Sequence, residues 1–144
     1  MSTQSAKGKT FVATEKGEAL SVNPLIGRVL LPNGLRPYVR IATLDATVAT
    51  TELIPANATQ RIFILALFLS GGAAGVSTVT IKSASTAIAP VISLPANGVL
   101  VLPMNEHAYV RQPAVNEAIN VTVATTAVGI IAHYIEVPVD VDLP

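Results

Sequence analysis

A chain of 144 residues has the length of one domain and can bury a core without disulfides or metals to staple it. With 51% hydrophobic and only 12% charged residues, it holds about half the usual share of charge for a water-facing surface. It contains no cysteine, which excludes disulfides, thiolate metal sites and thiol nucleophiles, and its formal net charge is zero.

That zero is unevenly distributed. Residues 1–40 carry six basic residues against two acidic ones, a net of +4, while residues 41–144 carry three against seven, a net of −4. A basic arm on an acidic body favours an acidic neighbour for the arm. The basic residues form no dense tract, so nucleic acid is not an expected partner. Within residues 1–38, Gly8, Gly17, Pro24, Gly27, Pro32, Gly34 and Pro37 interrupt every helical period. This stretch reads as an extended N-terminal arm with room for a short strand at Arg28–Leu31. Its apolar residues, among them Phe11, Leu25 and Ile26, give it a reason to lie across another subunit, with Arg28 beside them. The N-terminus lacks the apolar run of a secretory signal. The longest unbroken apolar run, Ile62–Leu69, is far short of the ~18 residues of a membrane span. Synthesis in the cytoplasm and no membrane partner are therefore expected.

Residues 39–144 read as a β-sandwich domain. Val39–Thr51 is rich in Thr, Val, Ile and Ala, and Pro55-Ala56-Asn57-Ala58 marks a turn. Arg61–Ser70 is a strand apolar on both faces, with Ile62, Ile64, Ala66 and Phe68 expected on one side and Phe63, Leu65, Leu67 and Leu69 on the other. One side is expected to meet the core and the other a partner subunit, with cover by the arm as the rival explanation. Gly71–Gly75 is expected as the tip of a hairpin joining this strand to Val76–Ser83, whose strict alternation marks a half-buried strand. Ile88–Leu94 follows, broken by Pro90, then the turn Pro95-Ala96-Asn97-Gly98 and a short buried strand at Val99–Leu102. His107–Arg111, Ile119–Thr126 and Val128–Val137 complete the strands, with a short helix admitted only at Gln112–Ala118 and an acidic edge strand at Pro138–Pro144. In the last long strand Ile130, Ala132, Tyr134 and Glu136 oppose Ile131, His133, Ile135 and Val137. About eight evenly spaced strands with turn signals between them predict an all-β sandwich, jelly-roll-like and antiparallel.

The residue types that carry chemistry are sparse. There is no Gly-x-Ser-x-Gly elbow, and Gly71–Gly75 lacks the Lys and Ser/Thr of a phosphate loop. The only histidines are His107 and His133. Glu106 and His107 are neighbours, which on a strand point to opposite sides, and His133 sits among Ile131, Ile135 and Val137 as a packed or interfacial residue. No catalytic residue, metal ligand or cofactor is assigned. The chain is expected to be non-enzymatic.

The order of a hydrophobic strand, a Gly-rich tip, "SLPANGVLVLP", a short strand with Tyr109 and Arg111, and "NEAINVTVATTAVGIIAHYIEV" resembles the jelly-roll head decoration, or cement, proteins of tailed bacteriophages. The resemblance covers about half of the chain, from Arg61 to Val137. It implies a structural protein on the outside of a capsid, bound to the major capsid protein shell as a homo-oligomer, with a trimer favoured. The residues expected at the oligomer or shell interface are Phe11, Leu25, Ile26, Arg28, Ile62, Phe63, Leu65, Leu67, Tyr109, Arg111 and His133. One competing expectation is a small jelly-roll enzyme with Glu106, His107, Arg111 and His133 around one pocket, and the other is a carbohydrate- or receptor-binding sandwich of a fibre or tail. It has only Tyr38, Tyr109 and Tyr134, and no Trp, to stack on sugars.

Overall fold

A computed structural model describes Gly34 and residues 37–140. Ten strand segments form two antiparallel sheets, and among the described residues there is no helix. The segments are β1 (Arg40–Ala46), β2 (Thr50–Ile54), β3 (Gln60–Gly71), β4 (Ser77–Ser83), β5 (Thr86–Ala87), β6 (Ile92–Leu94), β7 (Val99–Leu102), β8 (Val110–Arg111), β9 (Ile119–Ala124) and β10 (Val128–Pro138). The first sheet has the order β1-β10-β3, with β7 and β8 both along the free side of β3. The second has the order β2-β9-β4, with β5 and β6 both along the free side of β4.

Each outer pair is one interrupted edge strand. Pro90 cannot donate to a ladder, and the gap between β5 and β6 spans it. Pro103 stops β7 in the same way, and the chain rejoins β3 at β8. Counted so, the fold has eight strands, four to a sheet. The first pairs with the last, the second with the seventh, the third with the sixth and the fourth with the fifth. This is one long hairpin rolled into two layers, the jelly-roll arrangement.

The expected hairpin at Gly71–Gly75 is therefore an arch. β3 lies in the first sheet and β4 in the second, and neither pairs with the other. Both strands have apolar inward faces, and an arch lets those faces meet across the core. Gly72 allows the close passage, since a Cβ there would stand 2.6 Å from Thr126 Oγ1. Pro95-Ala96-Asn97-Gly98 is a second arch, from β6 to β7. Its Gly98 N–H donates to the Pro95 carbonyl at 2.8 Å, and a Cβ on Gly98 would meet that oxygen at the same distance. The expected short helix at Gln112–Ala118 is instead a series of bends, with Asn116 at φ 60 and its N–H donating to the Asn57 carbonyl. His107–Arg111 shortens to Val110–Arg111, because Asn105 turns the chain by accepting the His107 N–H on its side chain. Pro138 ends β10, the acidic edge strand does not form at Val139 and Asp140, and residues 141–144 lie outside the described residues.

The core lies between the sheets. Ile62, Ile64, Leu67 and Leu69 of β3 and Val128, Ile130, Ala132 and Tyr134 of β10 meet Val79, Ile81, Ile119, Val121 and Val123 from β4 and β9. The face assignment expected for β3 holds only up to Ile64. Ala66 pairs with His133 and Ile64 with Tyr134, so Leu65 is an extra residue with no partner on β10. That bulge switches the phase of the strand. Leu67 and Leu69 turn inward, and Ala66 and Phe68 turn outward.

One buried polar residue ties the layers together. Gln112 is 1% exposed. Its backbone N–H donates to the Ile62 carbonyl, and its Oε1 accepts the Ile62 N–H at 2.9 Å. Its Nε2 donates to Ser83 Oγ at 3.0 Å and to the Glu117 carbonyl at 2.6 Å. Ser83 Oγ in turn donates to Glu117 Oε1. Ile62 belongs to the first sheet and Ser83 to the second, so this side chain fills the donors and acceptors of both at one end of the sandwich.

Candidate assembly surface

The outer face of the first sheet is set by register. Thr43, Ile131, Phe68 and Val101 lie side by side across β1, β10, β3 and β7. Asp45, Gly129, Ser70 and Val99 form the next row on one side, and Ile41, His133 and Ala66 the next on the other. Phe68 and Ile131 are each 40% exposed, and Ile41, Val99 and Val101 are more than half exposed. The Phe68–Ile131 pair stands as a ridge between two shallow grooves. One, of about 380 Å³, is lined by Thr43, Asp45, Ser70 and Gly129. The other, of about 290 Å³, is lined by Ala66, Val101, Met104 and His133. Gly129 leaves the floor of the first groove to backbone.

At its far end the same face is closed. Phe63, Leu65, Ile135 and Val137 form a second apolar cluster outside the main core, packed by Val39 and Ala108. The Arg61 guanidinium stands 5.0 Å from the Phe63 ring centre and that of Arg111 5.9 Å, a cationic cover over an aromatic face. The 103–111 segment that supplies part of this cover is held by its own bonds. Asn105 N–H donates to the carbonyl of the bulged Leu65, Tyr109 N–H to that of Ile64, and Tyr109 OH to the Pro103 carbonyl. Arg111 donates through Nε and Nη2 to the His107 carbonyl at 3.1 and 2.8 Å. At the β1 edge, burial raises the Tyr134 phenol above its ordinary value, helped by Glu136 and opposed by Arg40.

The expected interface residues separate into three groups. Phe63, Leu65, Arg111 and His133 lie on or beside the outer face, with Tyr109 in the adjoining segment. Ile62 and Leu67 face the other sheet and belong to the main core. Phe11, Leu25, Ile26 and Arg28 lie outside the described residues. Val99–Leu102, expected to be buried, carries Val99 and Val101 on the exposed face because the arch at Gly98 delivers it to a sheet edge. Phe68, Ile131 and Val101 were missed as a set. Their cross-strand rows join residues far apart in sequence, and the bulge at Leu65 reverses the side on which Phe68 emerges.

His107 lies in the loop and His133 on the outer face, and among the described residues no three His, Cys, Asp or Glu side chains are grouped to hold a metal ion. No helix is long and apolar enough to cross a membrane among those residues. Comparison with protein-family models, with curated proteins and with solved structures finds no match.

Proposed function

We propose that this chain is a non-enzymatic structural protein that binds the outside of a bacteriophage capsid and stabilises it, as a homo-oligomer with three copies favoured. The observation that carries the reading is the outer face of the first sheet. It presents Phe68, Ile131, Ile41 and Val101 in adjoining positions, where an antiparallel sheet facing water carries polar residues. Exposed apolar residues grouped in this way are what a protein-binding surface presents. The resemblance of residues 61–137 to decoration proteins supports the particular setting, and the jelly-roll order supports the same family of folds. Three weak contacts held together gain avidity of about 10²–10⁴ over one, which suits a small body with modest contact area.

The test is to measure the mass of the protein in solution by light scattering, then mix it with undecorated phage shells and image them by electron microscopy. Regular density at symmetry-related shell positions is the expected result. A monomer that leaves the shells bare would overturn the reading.

A further inference from the structure

The arch from β6 to β7 joins two residues that can react with each other. Asn97 is followed by Gly98, and the glycine nitrogen can attack the asparagine side chain with no side chain of its own in the way. The fold itself calls for both residues. A Cβ on Gly98 would stand 2.7 Å from the Pro95 ring and 2.8 Å from the Pro95 carbonyl oxygen, so only glycine fits. Asn97 has φ 58, a left-handed conformation that asparagine takes more readily than most residues. Asn97 is also exposed, so water reaches it.

The same arch withholds the reaction. The Gly98 N–H donates to the Pro95 carbonyl at 2.8 Å. With the positive φ of Asn97 this makes a type II turn, in which the Asn97 ψ is about 0°. At that angle the Asn97 nitrogen eclipses the Gly98 nitrogen about the Cα–C bond. Closing a five-membered imide needs Asn97 Cβ in that place instead, so the bond must turn and the Gly98 N–H must leave Pro95. Two further bonds resist the turn. Asn97 N–H donates to the Gly72 carbonyl at 2.8 Å, and Gly71 N–H donates to the Gly98 carbonyl at 2.7 Å. They tie this arch to the one that leaves β3.

We infer that Asn97–Gly98 is a self-modification site that the folded arch keeps closed, and that its conversion to isoaspartate releases β7. In the reaction the Gly98 nitrogen loses its proton to solvent and bonds to Asn97 Cγ, the Cγ–Nδ2 bond breaks, and ammonia leaves. Water then opens the imide, with no oxidant or reductant involved. Opening at Cγ gives aspartate. Opening at the backbone carbonyl carbon gives isoaspartate, whose chain runs through Cβ and Cγ. The backbone then gains one carbon, and the residue gains a negative charge. The β3–β7 ladder begins at Val99, so the displaced register falls on the edge strand that presents Val99 and Val101 on the outer face. The consequence for attachment rests on the functional reading, whereas the chemistry does not.

The test incubates the full chain in mildly alkaline buffer, folded in one sample and unfolded by urea in another. Products at Asn97 are followed by peptide mass and by chromatography that separates isoaspartate from aspartate. Asn33–Gly34 carries the same dipeptide and gives a reference rate in urea, where the two sites should convert alike. In the folded chain Asn97 should convert about tenfold or more slowly than in urea, since three backbone hydrogen bonds must open first. Equal rates with and without urea would overturn the inference. The isoaspartate form is then separated, refolded and examined by hydrogen exchange, with faster exchange expected at Val99–Leu102 and none at β9. Unchanged exchange at β7, or a chain that no longer refolds, would overturn the release of that strand alone. No readout here uses shells, so bare shells would sink the functional reading and leave this one standing.

Discussion

The two sheets share a core and each has four strand positions, yet their outer faces differ in chemistry. On the second sheet Thr78 lies beside Ser93 and Ala124, Thr80 beside Thr122, and Lys82 beside Asn120. Thr50 and Thr122 share a hydroxyl hydrogen bond of 2.7 Å. β4 alternates between buried and half-buried along its whole length, as a strand with one wet side should. On the first sheet, β3 and β10 are apolar on both sides, and their outward residues either form a second cluster or stand exposed. The difference teaches that one sheet meets water with polar residues, whereas the other leaves apolar residues exposed there.

Four substitutions test that contrast. The largest effect is expected at Phe63, fully buried on the outer side of the first sheet. Phe63→Ala should cost about 3–5 kcal/mol in chemical denaturation, as for a true core position. Thr80→Ala on the outer side of the second sheet should change stability by no more than about 0.5 kcal/mol. Equal costs would erase the distinction. Gln112→Leu comes next, since it strands the Ile62 N–H and the Glu117 carbonyl at the joint between the sheets. A loss of about 2–3 kcal/mol is expected, with faster hydrogen exchange at Ile62; an unchanged midpoint would show that the joint does not hold the layers. A small effect is also expected for Thr122→Val, which removes the exposed hydroxyl pair but keeps the branched shape. A change of about 0.2–1 kcal/mol in thermal or chemical unfolding would match a cross-strand contact on a solvated face. A core-sized loss would mean that this face too is built for cover.

The sequence made several of these features legible. The alternation in Val76–Ser83 gave the half-wet strand directly, and the faces of Val128–Val137 are those read from its pattern, since no bulge shifts its phase. Arg61–Ser70 was legible as a strand apolar on both sides. Its faces were not, because the extra residue at Leu65 is visible only in the pairing with β10. Gln112 gave no signal. It opens the stretch where only a short helix was admitted, and its burial follows from two sheets converging on it.

The places of the longer strands and the apolar character of both faces of β3 follow from local sequence, because side-chain period and turn chemistry act over a few residues; the division of Val39–Thr51 between β1 and β2 does not. The pairing of strands, the arches in place of a hairpin, and the rows that bring Phe68, Ile131 and Val101 together were decided only by the tertiary structure. Those relations join residues up to several tens of positions apart, and each is fixed by which apolar faces can be buried against each other at once.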